Sequence, residues 1–375
     1  MGIVTALREF ARDYRFGLWS LTGNERDSGA SLSIVYAGCE KNKNYIANMA
    51  FAENFTEIYL GKKWLWDVRK IGRVRHDRGD VLIMEINRRL QAWSGARGYY
   101  VPVWIDGETS FDDISRLMKV SERLKSDLRR IRKNGLTYEV TRRQDLFLDF
   151  YHRMYLPYTL QAHGDEAVPH SLDTVMSASD RSDLLLVKRD GDVIAGEIIV
   201  YERDGARFWC SGVVNGNYDH VKAGALAALY YYRYLYLSER GYDQVHLGAT
   251  RAFLKDGVLQ YKKKWGMGVL GDRSSGFYIR LLHATAGARS FLMNNPFLYD
   301  SGGELLAAVF TDAADTPGEE WIRKQYQQFY LPGISRLVFH TFEAVPDQVK
   351  IPDDLKGRVE FQRAISSVKV TYSVR

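Results

Sequence analysis

The sequence predicts an α/β (α+β) fold in which a mixed central sheet is flanked by helices, and three observations predict it. Arg189-Asp190-Gly191-Asp192 and Arg203-Asp204-Gly205-Ala206 both set Asp-Gly between β-rich runs, so Leu184–Val214 reads as a three-stranded antiparallel meander. A long helical stretch over 219–240 follows, and a strand at Gln244–Gly248 comes after it. Ahead of the meander, Ile114, Leu117, Leu124, Leu128 and Ile131 recur at helical spacing and predict one amphipathic helix over 111–133.

The remaining elements are read in chain order. Residues 1–110 hold strand-like runs (SLSIVYAG, TEIYLG, DVLIMEI, YYVPVWI), and the polar stretch Asp106-Gly107-Glu108-Thr109-Ser110 reads as a boundary loop. A strand at Thr137–Val140 and a helix over 143–163 precede the meander; a helix over 254–264 and a strand at Phe277–Leu282 follow Gln244–Gly248. Beyond Leu282 come a helix, an acidic loop near Asp312–Glu320, and strand-like runs SRLVFHTF and SSVKVTYSV. At 375 residues the chain is too long for one ordinary core. The expected division is 1–110, 111–285, and a C-terminal extension, 286–375, packing on the second domain. That extension could instead cover the active site, make a dimer interface or complete the second sheet.

Composition excludes several classes. A hydrophobic fraction of 46% and a charged fraction of 26% are those of a soluble globular protein. The two cysteines, Cys39 and Cys210, form neither a metal-ligand spacing nor a disulfide framework, which fits a reducing cytoplasm. No apolar run approaches the roughly 18 residues of a membrane span, and charges interrupt the N-terminal stretch, so no signal peptide is expected. Net charge is +6, and the stretch Arg116–Lys133, with eight basic and two acidic residues, carries a surplus equal to it. A second basic cluster comprises Lys62, Lys63, Arg69, Lys70, Arg73, Arg75 and Arg78. Both read either as solvated faces or as surfaces for a phosphate-bearing partner such as a CoA, a nucleotide or a tRNA end.

The stretch richest in chemistry is Val245–Gly266, VHLGATRAFLKDGVLQYKKKWG. It places Arg251, Asp256 and Gly257, then Tyr261 and three lysines, just past a strand end, where open α/β sheets put their ligands. Lys262 reads as a candidate cation for an oxyanion or a substrate phosphate, with a surface lysine trio as the plain alternative. Tyr261 reads as a proton donor or as a core tyrosine. Asp256 would anchor Arg251, accept an amine proton, or merely cap the next helix. Glu197 alternates onto the face of its strand shared with Ala195, Ile199 and Tyr201, which puts it either at a sheet edge or in a cleft where burial would raise its pKa and suit a general base. Arg251, Gly248, His246, His163 and Tyr218 are candidate substrate-binding residues, and a structural role for His246 is the competing reading. Tyr230, Tyr231, Tyr232, Tyr234 and Tyr236 would line an acyl groove or simply pack the long helix on the sheet. No residue pattern demands a metal, and no Ser or Cys sits in a nucleophile motif.

The order helix, helix, three antiparallel strands, helix, strand, helix, strand resembles the GNAT acyltransferase fold. Residues 115–282 look like its Fem-type and related acetyltransferase-like branch. Four stretches carry the resemblance: Ser126 to Gly135 with Arg129, Arg130, Arg132, Lys133 and Asn134; Val193-Ile194-Ala195-Gly196; Glu239-Arg240-Gly241-Tyr242-Asp243; and Tyr261-Lys262 with Trp265-Gly266. The resemblance implies tandem GNAT-like units, with residues 1–110 a degenerate first one, and places Lys262 in the site. The family's CoA-pyrophosphate loop would fall on Asp219-His220-Val221-Lys222-Ala223-Gly224-Ala225, making His220, Lys222 and Gly224 the cofactor-binding candidates. Val221 and Leu226 depart from that loop's Gln/Arg and Gly/Ala, and Asp219 reads as the N-cap of the long helix. A carboxylate there disfavours phosphate, which raises a carrier-protein thioester or an aminoacyl-tRNA over acetyl-CoA as donor. The expectation is a cytoplasmic N-acyltransferase with no tightly bound cofactor. It would move an acyl or aminoacyl group from an acyl-CoA, acyl carrier protein or aminoacyl-tRNA onto an amine of a small molecule, peptide or envelope precursor, by direct attack in a ternary complex. The alternatives are an aminoacyl-tRNA-dependent peptide-bond-forming transferase and a non-catalytic GNAT-like ligand-binding module.

Overall fold

In the computed structural model, residues 14–67, 79–90, 98–164, 167, 169–270, 275–312, 318–343 and 349–365 are described. The chain begins with β1 (Arg15–Asn24), β2 (Ser31–Gly38), α1 (Glu40–Ala50), β3 (Thr56–Trp64), β4 (Val81–Asn87) and β5 (Tyr99–Pro102). Next come β6 (Gly107–Ser110), α2 (Phe111–Val120), α3 (Glu122–Lys133), β7 (Thr137–Thr141), α4 (Gln144–Phe150), a π-helical turn (Tyr151–Tyr155), α5 (Leu156–His163) and α6 (Leu172–Ala178). The meander is β8 (Ser182–Arg189), β9 (Asp192–Glu202) and β10 (Gly205–Val213). It leads to α7 (Tyr218–Lys222), α8 (Ala225–Glu239), β11 (Gln244–His246), α9 (Gly257–Lys264) and β12 (Gly268–Val269). The last elements are β13 (Ser275–Leu281), α10 (Ala286–Asn294), β14 (Phe297–Ser301), β15 (Glu304–Thr311), α11 (Glu319–Phe329), β16 (Arg336–Thr341) and β17 (Val359–Arg363).

The expected fold class is the one observed: each of two compact units carries a mixed sheet flanked by helices. The division differs from the expected consecutive stretches. The first unit draws on residues up to Ile105, on Thr250–Leu259 and on those beyond Leu270; the second comprises Asp106–Ala249 and Gln260–Leu270. Its break at Ile105–Asp106 lies close to the expected boundary, but Gly107–Ser110 is a strand and not a loop. It pairs antiparallel with β11 and β12, and this pairing overrides its polar, turn-like composition. The strand expected at Phe277–Leu282 exists as β13, yet it lies between β4 and β5 in the first unit. The segment beyond 285 likewise extends the first unit's sheet through β14 to β17, so it does not form a separate extension on the second domain.

In the first unit the sheet order is β17-β16-β15-β14-β5-β13-β4-β2-β1-β3. β1, which was not foreseen, pairs antiparallel with both β2 and β3, and Phe16, Leu18, Leu82, Met84, Tyr100 and Tyr278 pack in one core cluster. Of the second basic cluster, Lys62 and Lys63 stand exposed on β3, while Arg69 to Arg78 lie outside the described residues, as does the run from Ser366.

In the second unit the order is β12-β6-β11-β10-β9-β8-β7. The meander forms as predicted, and Asp190 and Gly191 both adopt positive φ (53° and 90°), as a tight two-residue hairpin turn demands. The alternation read along β9 also holds. Ile198 and Val200 join Phe147, Phe150 and Met154 in the core under α4, while on the other face Glu197 meets Arg233 of α8 and Tyr201 donates to Asp183, which also accepts from Tyr236 of α8. Gly212 lets β10 meet the π-helical turn, since a Cβ there would lie 2.3 Å from the Met154 carbonyl oxygen.

Two predicted helices are each broken in two. Ser121 is extended (ψ 114°) and its Oγ accepts from the Leu124 amide, so it ends α2 and caps α3. The long helix starts later than expected. Asn217 Oδ1 accepts from the Asp219 amide to cap the short α7, and Gly224, in the left-handed region (φ 100°), opens α8. Asp219 is therefore not the N-cap of the long helix.

Candidate functional site

Parallel strands need a crossover, and the second unit contains one: α7 and α8 carry the chain from β10 to β11. The two strands share a single paired position, Arg207 with His246, after which β10 runs on to Val213 while β11 ends. Open α/β sheets place their ligands at the carboxyl ends of the strands, where the strand order or direction switches. Gly248 sits at that end with positive φ (67°), and a Cβ there would lie 3.3 Å from the Phe208 carbonyl oxygen.

Lys262 projects to the same point. Its side chain is buried, and its ammonium donates to the carbonyl oxygens of Gly248 (2.9 Å) and Ala249 (2.8 Å). Tyr261 is half-buried in a ring cluster, edge-on to Tyr230 at 5.2 Å, while Tyr230 lies 5.4 Å from Trp265. Burial lifts the Tyr261 phenol well above its usual range, so the group is a neutral hydrogen-bonding tyrosine at physiological pH. Lys264 pairs with Asp127 of α3. Lys263 is partly buried, and desolvation together with Arg123 draws its pKa down to about 8.

Glu197 is wholly buried beside the equally buried Arg233 of α8, with Nη1 to Oε2 at 3.1 Å. The guanidinium also lies over the rings of Phe208 (4.5 Å) and Tyr230 (4.2 Å). Burial raises the Glu197 pKa to about 7, with Arg233 pulling the other way. Sequence reasoning missed Arg233, though its signal was present: one arginine within the aromatic run Tyr230 to Tyr236, at i+4 from Leu229 and i−4 from Leu237 on the buried face of a helix. The tyrosines around it pack as the plainer reading expected. Tyr236 donates to Asp183 (2.5 Å), and Tyr232 donates to the Leu136 carbonyl while stacking on Tyr138.

The second gathering is basic. Ser126, Arg129, Arg130, Lys133 and Asn134 at the end of α3 meet Lys222 of α7 around a groove of about 380 Å³. Asn134 Nδ2 ties the two segments by donating to the Ala223 carbonyl (2.9 Å), and Gly224 packs against the Arg130 stem. The carboxylates of Glu122, Asp127 and Asp219 lie 4.0, 3.8 and 3.3 Å from Arg129, Arg130 and Lys222. The Glu122–Arg129 and Asp219–Lys222 pairs are exposed, hence weak and ready to exchange one anion for another, whereas Asp127 is buried. The start of α8 carries no side-chain cap, so its leading amides and the positive end of its dipole favour an anion. Gly224→Ala would place a Cβ 3.2 Å from Arg130 in a left-handed conformation. It should cost about 1–3 kcal/mol, read as a lower urea midpoint.

The other candidates fall elsewhere. His246 is nearly buried, with Nδ1 3.7 Å from Glu108 and Nε2 3.7 Å from Asp204. Tyr218 is exposed, with Lys222 Nζ 5.6 Å from its ring, and His220 is half-buried. His163 ends α5, and its side chain lies outside the described residues. Arg251 and Asp256 belong to the first unit. Asp256 Oδ1 accepts from the amides of Val258 and Leu259 (3.0 Å each), the helix-capping alternative. Arg251 lies over Trp104 (3.9 Å) and Tyr45 (4.4 Å) and donates to Asn42 Oδ1 (2.9 Å). Among the described residues no group of three or more His, Cys, Asp or Glu is placed to hold a metal, and no helix is long and apolar enough to cross a membrane.

No family model matches the sequence, and no curated protein matches it. Solved structures with a similar arrangement include the C-terminal domain of a putative lysylphosphatidylglycerol synthetase from Agrobacterium fabrum, at 14% identity over 77% of this chain and 87% of that one, TM-score 0.34. Another is FemX, at 13% identity over 69% of this chain and 83% of that one, TM-score 0.37. A third is a tandem GNAT protein from the clavulanic acid biosynthesis pathway, at 12% identity, 69% and 82% coverage, TM-score 0.28.

Proposed function

We propose that the second unit is a GNAT-type acyl- or aminoacyltransferase that takes a phosphate-bearing donor. The observation that carries this reading is the basic groove of Arg129, Arg130, Lys133 and Lys222 beside the uncapped start of α8, on the crossover that follows β10. Acyl-CoA, phosphopantetheine-loaded carrier protein and aminoacyl-tRNA all carry phosphates and an activated carbonyl on one molecule, so a basic groove suits each. The position of Asp219 removes the objection raised by its sequence. It lies in the short α7, its carboxylate 3.3 Å from Lys222, and Gly224 heads the long helix instead.

In this reading the donor carbonyl lies past the single β10–β11 pairing, and the acceptor amine attacks it directly. The C–N bond forms, the tetrahedral intermediate breaks its C–S bond (C–O for an aminoacyl-tRNA), and the proton lost by the amine leaves on the departing thiol or ribose hydroxyl. Lys262 holds the Gly248-Ala249 loop and sets a positive charge at the strand ends, where the tetrahedral oxyanion develops. Tyr261, Tyr230 and Trp265 form the ring cluster beside it. Glu197 acts through Arg233, which it holds against Phe208 and Tyr230, and is a positioning residue.

Thermal unfolding with acetyl-CoA, a long-chain acyl-CoA, an acyl-loaded carrier protein and an aminoacyl-tRNA tests the proposal. One donor should raise the melting temperature, and Arg129→Ala with Lys133→Ala should weaken it roughly tenfold or more and flatten its salt dependence. No shift with any donor, or a shift indifferent to these substitutions, would overturn the groove as the donor site.

A further inference from the structure

Apolar surface is concentrated on one edge of the first unit. Of the eleven large apolar side chains that stand exposed among the described residues, Ile58, Tyr59, Leu60 and Trp66 fall within a nine-residue span. The first three belong to β3, which among the described residues is the outermost strand of its sheet and pairs with β1 alone. Ile58 and Leu60 alternate onto one face, and Tyr59 is on the other, packed at a tilt on Trp19 with ring centroids 5.1 Å apart. Trp66 stacks on Trp64 at 5.0 Å, and the Arg15 guanidinium lies 5.8 Å from the Trp64 ring. Lys62 and Lys63 stand exposed between these aromatic and aliphatic groups.

Charge decides what covers such an edge. A second copy of the chain pairing strand to strand would bring two lysine pairs toward each other, and the register irregularity between Gly17 and Trp19 further disturbs a flat edge. Lysines and bulges on edge strands are the devices by which sheets resist that pairing. The same lysines favour an anionic surface. Exposed tryptophan, tyrosine and aliphatic groups beside lysines suit the headgroup layer of a bilayer, where rings sit at the boundary and ammonium groups reach lipid phosphates.

We propose that β3, together with Trp66, docks the protein on the surface of an anionic lipid bilayer. The unpaired backbone of an edge strand needs hydrogen-bond partners, so docking stays in the headgroup layer and does not enter the hydrocarbon. This surface is independent of the donor groove.

Sedimentation with vesicles tests it, using phosphatidylcholine alone and phosphatidylcholine mixed with phosphatidylglycerol. The protein should pellet with the mixed vesicles and be released by salt. Lys62→Ala with Lys63→Ala should weaken that binding roughly 30-fold. Ile58→Ser with Leu60→Ser should weaken it roughly tenfold or more. All four side chains are exposed, so melting temperatures should hold, and the two pairs of substitutions check one another. The proposal is overturned if the protein ignores the mixed vesicles, or if it binds pure phosphatidylcholine equally well. It is also overturned if the same substitutions instead dissolve a dimer seen by analytical ultracentrifugation.

Discussion

Arg233→Met should destabilise the protein by about 3–5 kcal/mol at pH 8 and by much less at pH 5. The guanidinium is the charge beside Glu197, 3.1 Å away, and both groups are buried. Burial lifts Glu197 from 4.5 to about 7 in the folded protein. Its folded pKa stands above its unfolded value, so the folded state holds the proton more tightly. That contribution to stability is fully present below pH 4.5 and is lost as pH rises through 7. In the native protein Arg233 limits the loss, because it partners the carboxylate as the carboxylate ionises. Methionine fills much of the volume but leaves a buried charge unpaired, so stability keeps falling above pH 7. At pH 5 the carboxyl is neutral in both proteins, so no buried carboxylate is left unpaired, and what is missing is the guanidinium's hydrogen bond to Glu197 and its stacking on Phe208 and Tyr230. Urea unfolding at the two pH values separates these contributions. An equal loss at both would mean that packing, not the charge of Glu197, sets the role of Arg233.

The pair also shows what the sequence could and could not convey. Alternation along β9 put Glu197 on its own face, because a strand's period of two is a local property. Asp-Gly at 190–191 marked its hairpin for the same reason: the turn needs positive φ at both positions. Sheet membership is not local. The apolar run at β13 reads as a strand wherever it lies, but only pairing with β4 and β5 assigns it to the first unit. Gly107–Ser110 reads as a loop until β11 and β12 close on it. Ser121 and Gly224 break helices whose apolar spacing continues across the break, so periodicity alone runs through both. The groove depended on one of those breaks. Lys222 was legible as a basic residue near a helix start and α3 as a basic helix, but their meeting through Asn134 and Ala223 spans 89 positions of sequence.

Lys262→Met should slow acyl transfer by about 10²–10³-fold with whichever donor raises the melting temperature, and cost about 1–3 kcal/mol of stability. Methionine preserves most of the buried stem while removing the ammonium that accounts for both hydrogen bonds to Gly248 and Ala249. Those carbonyls lie in the loop just past β11, so the substitution both loosens the loop and withdraws the positive charge at the same point. The two effects part in the kinetics. Loss of a charge that acts only on the developing oxyanion lowers kcat and kcat/KM together, whereas a loosened loop that merely weakens substrate binding raises KM and spares kcat. Lys262→Arg keeps the charge on a wider, planar group that fits two converging carbonyls poorly, so it should recover part of kcat with little gain in stability. If Lys262→Met lowers the urea midpoint but leaves kcat untouched, the lysine is only a strut for the β11–α9 connection. The oxyanion would then have to be stabilised by backbone amides at the ends of β10 and β11.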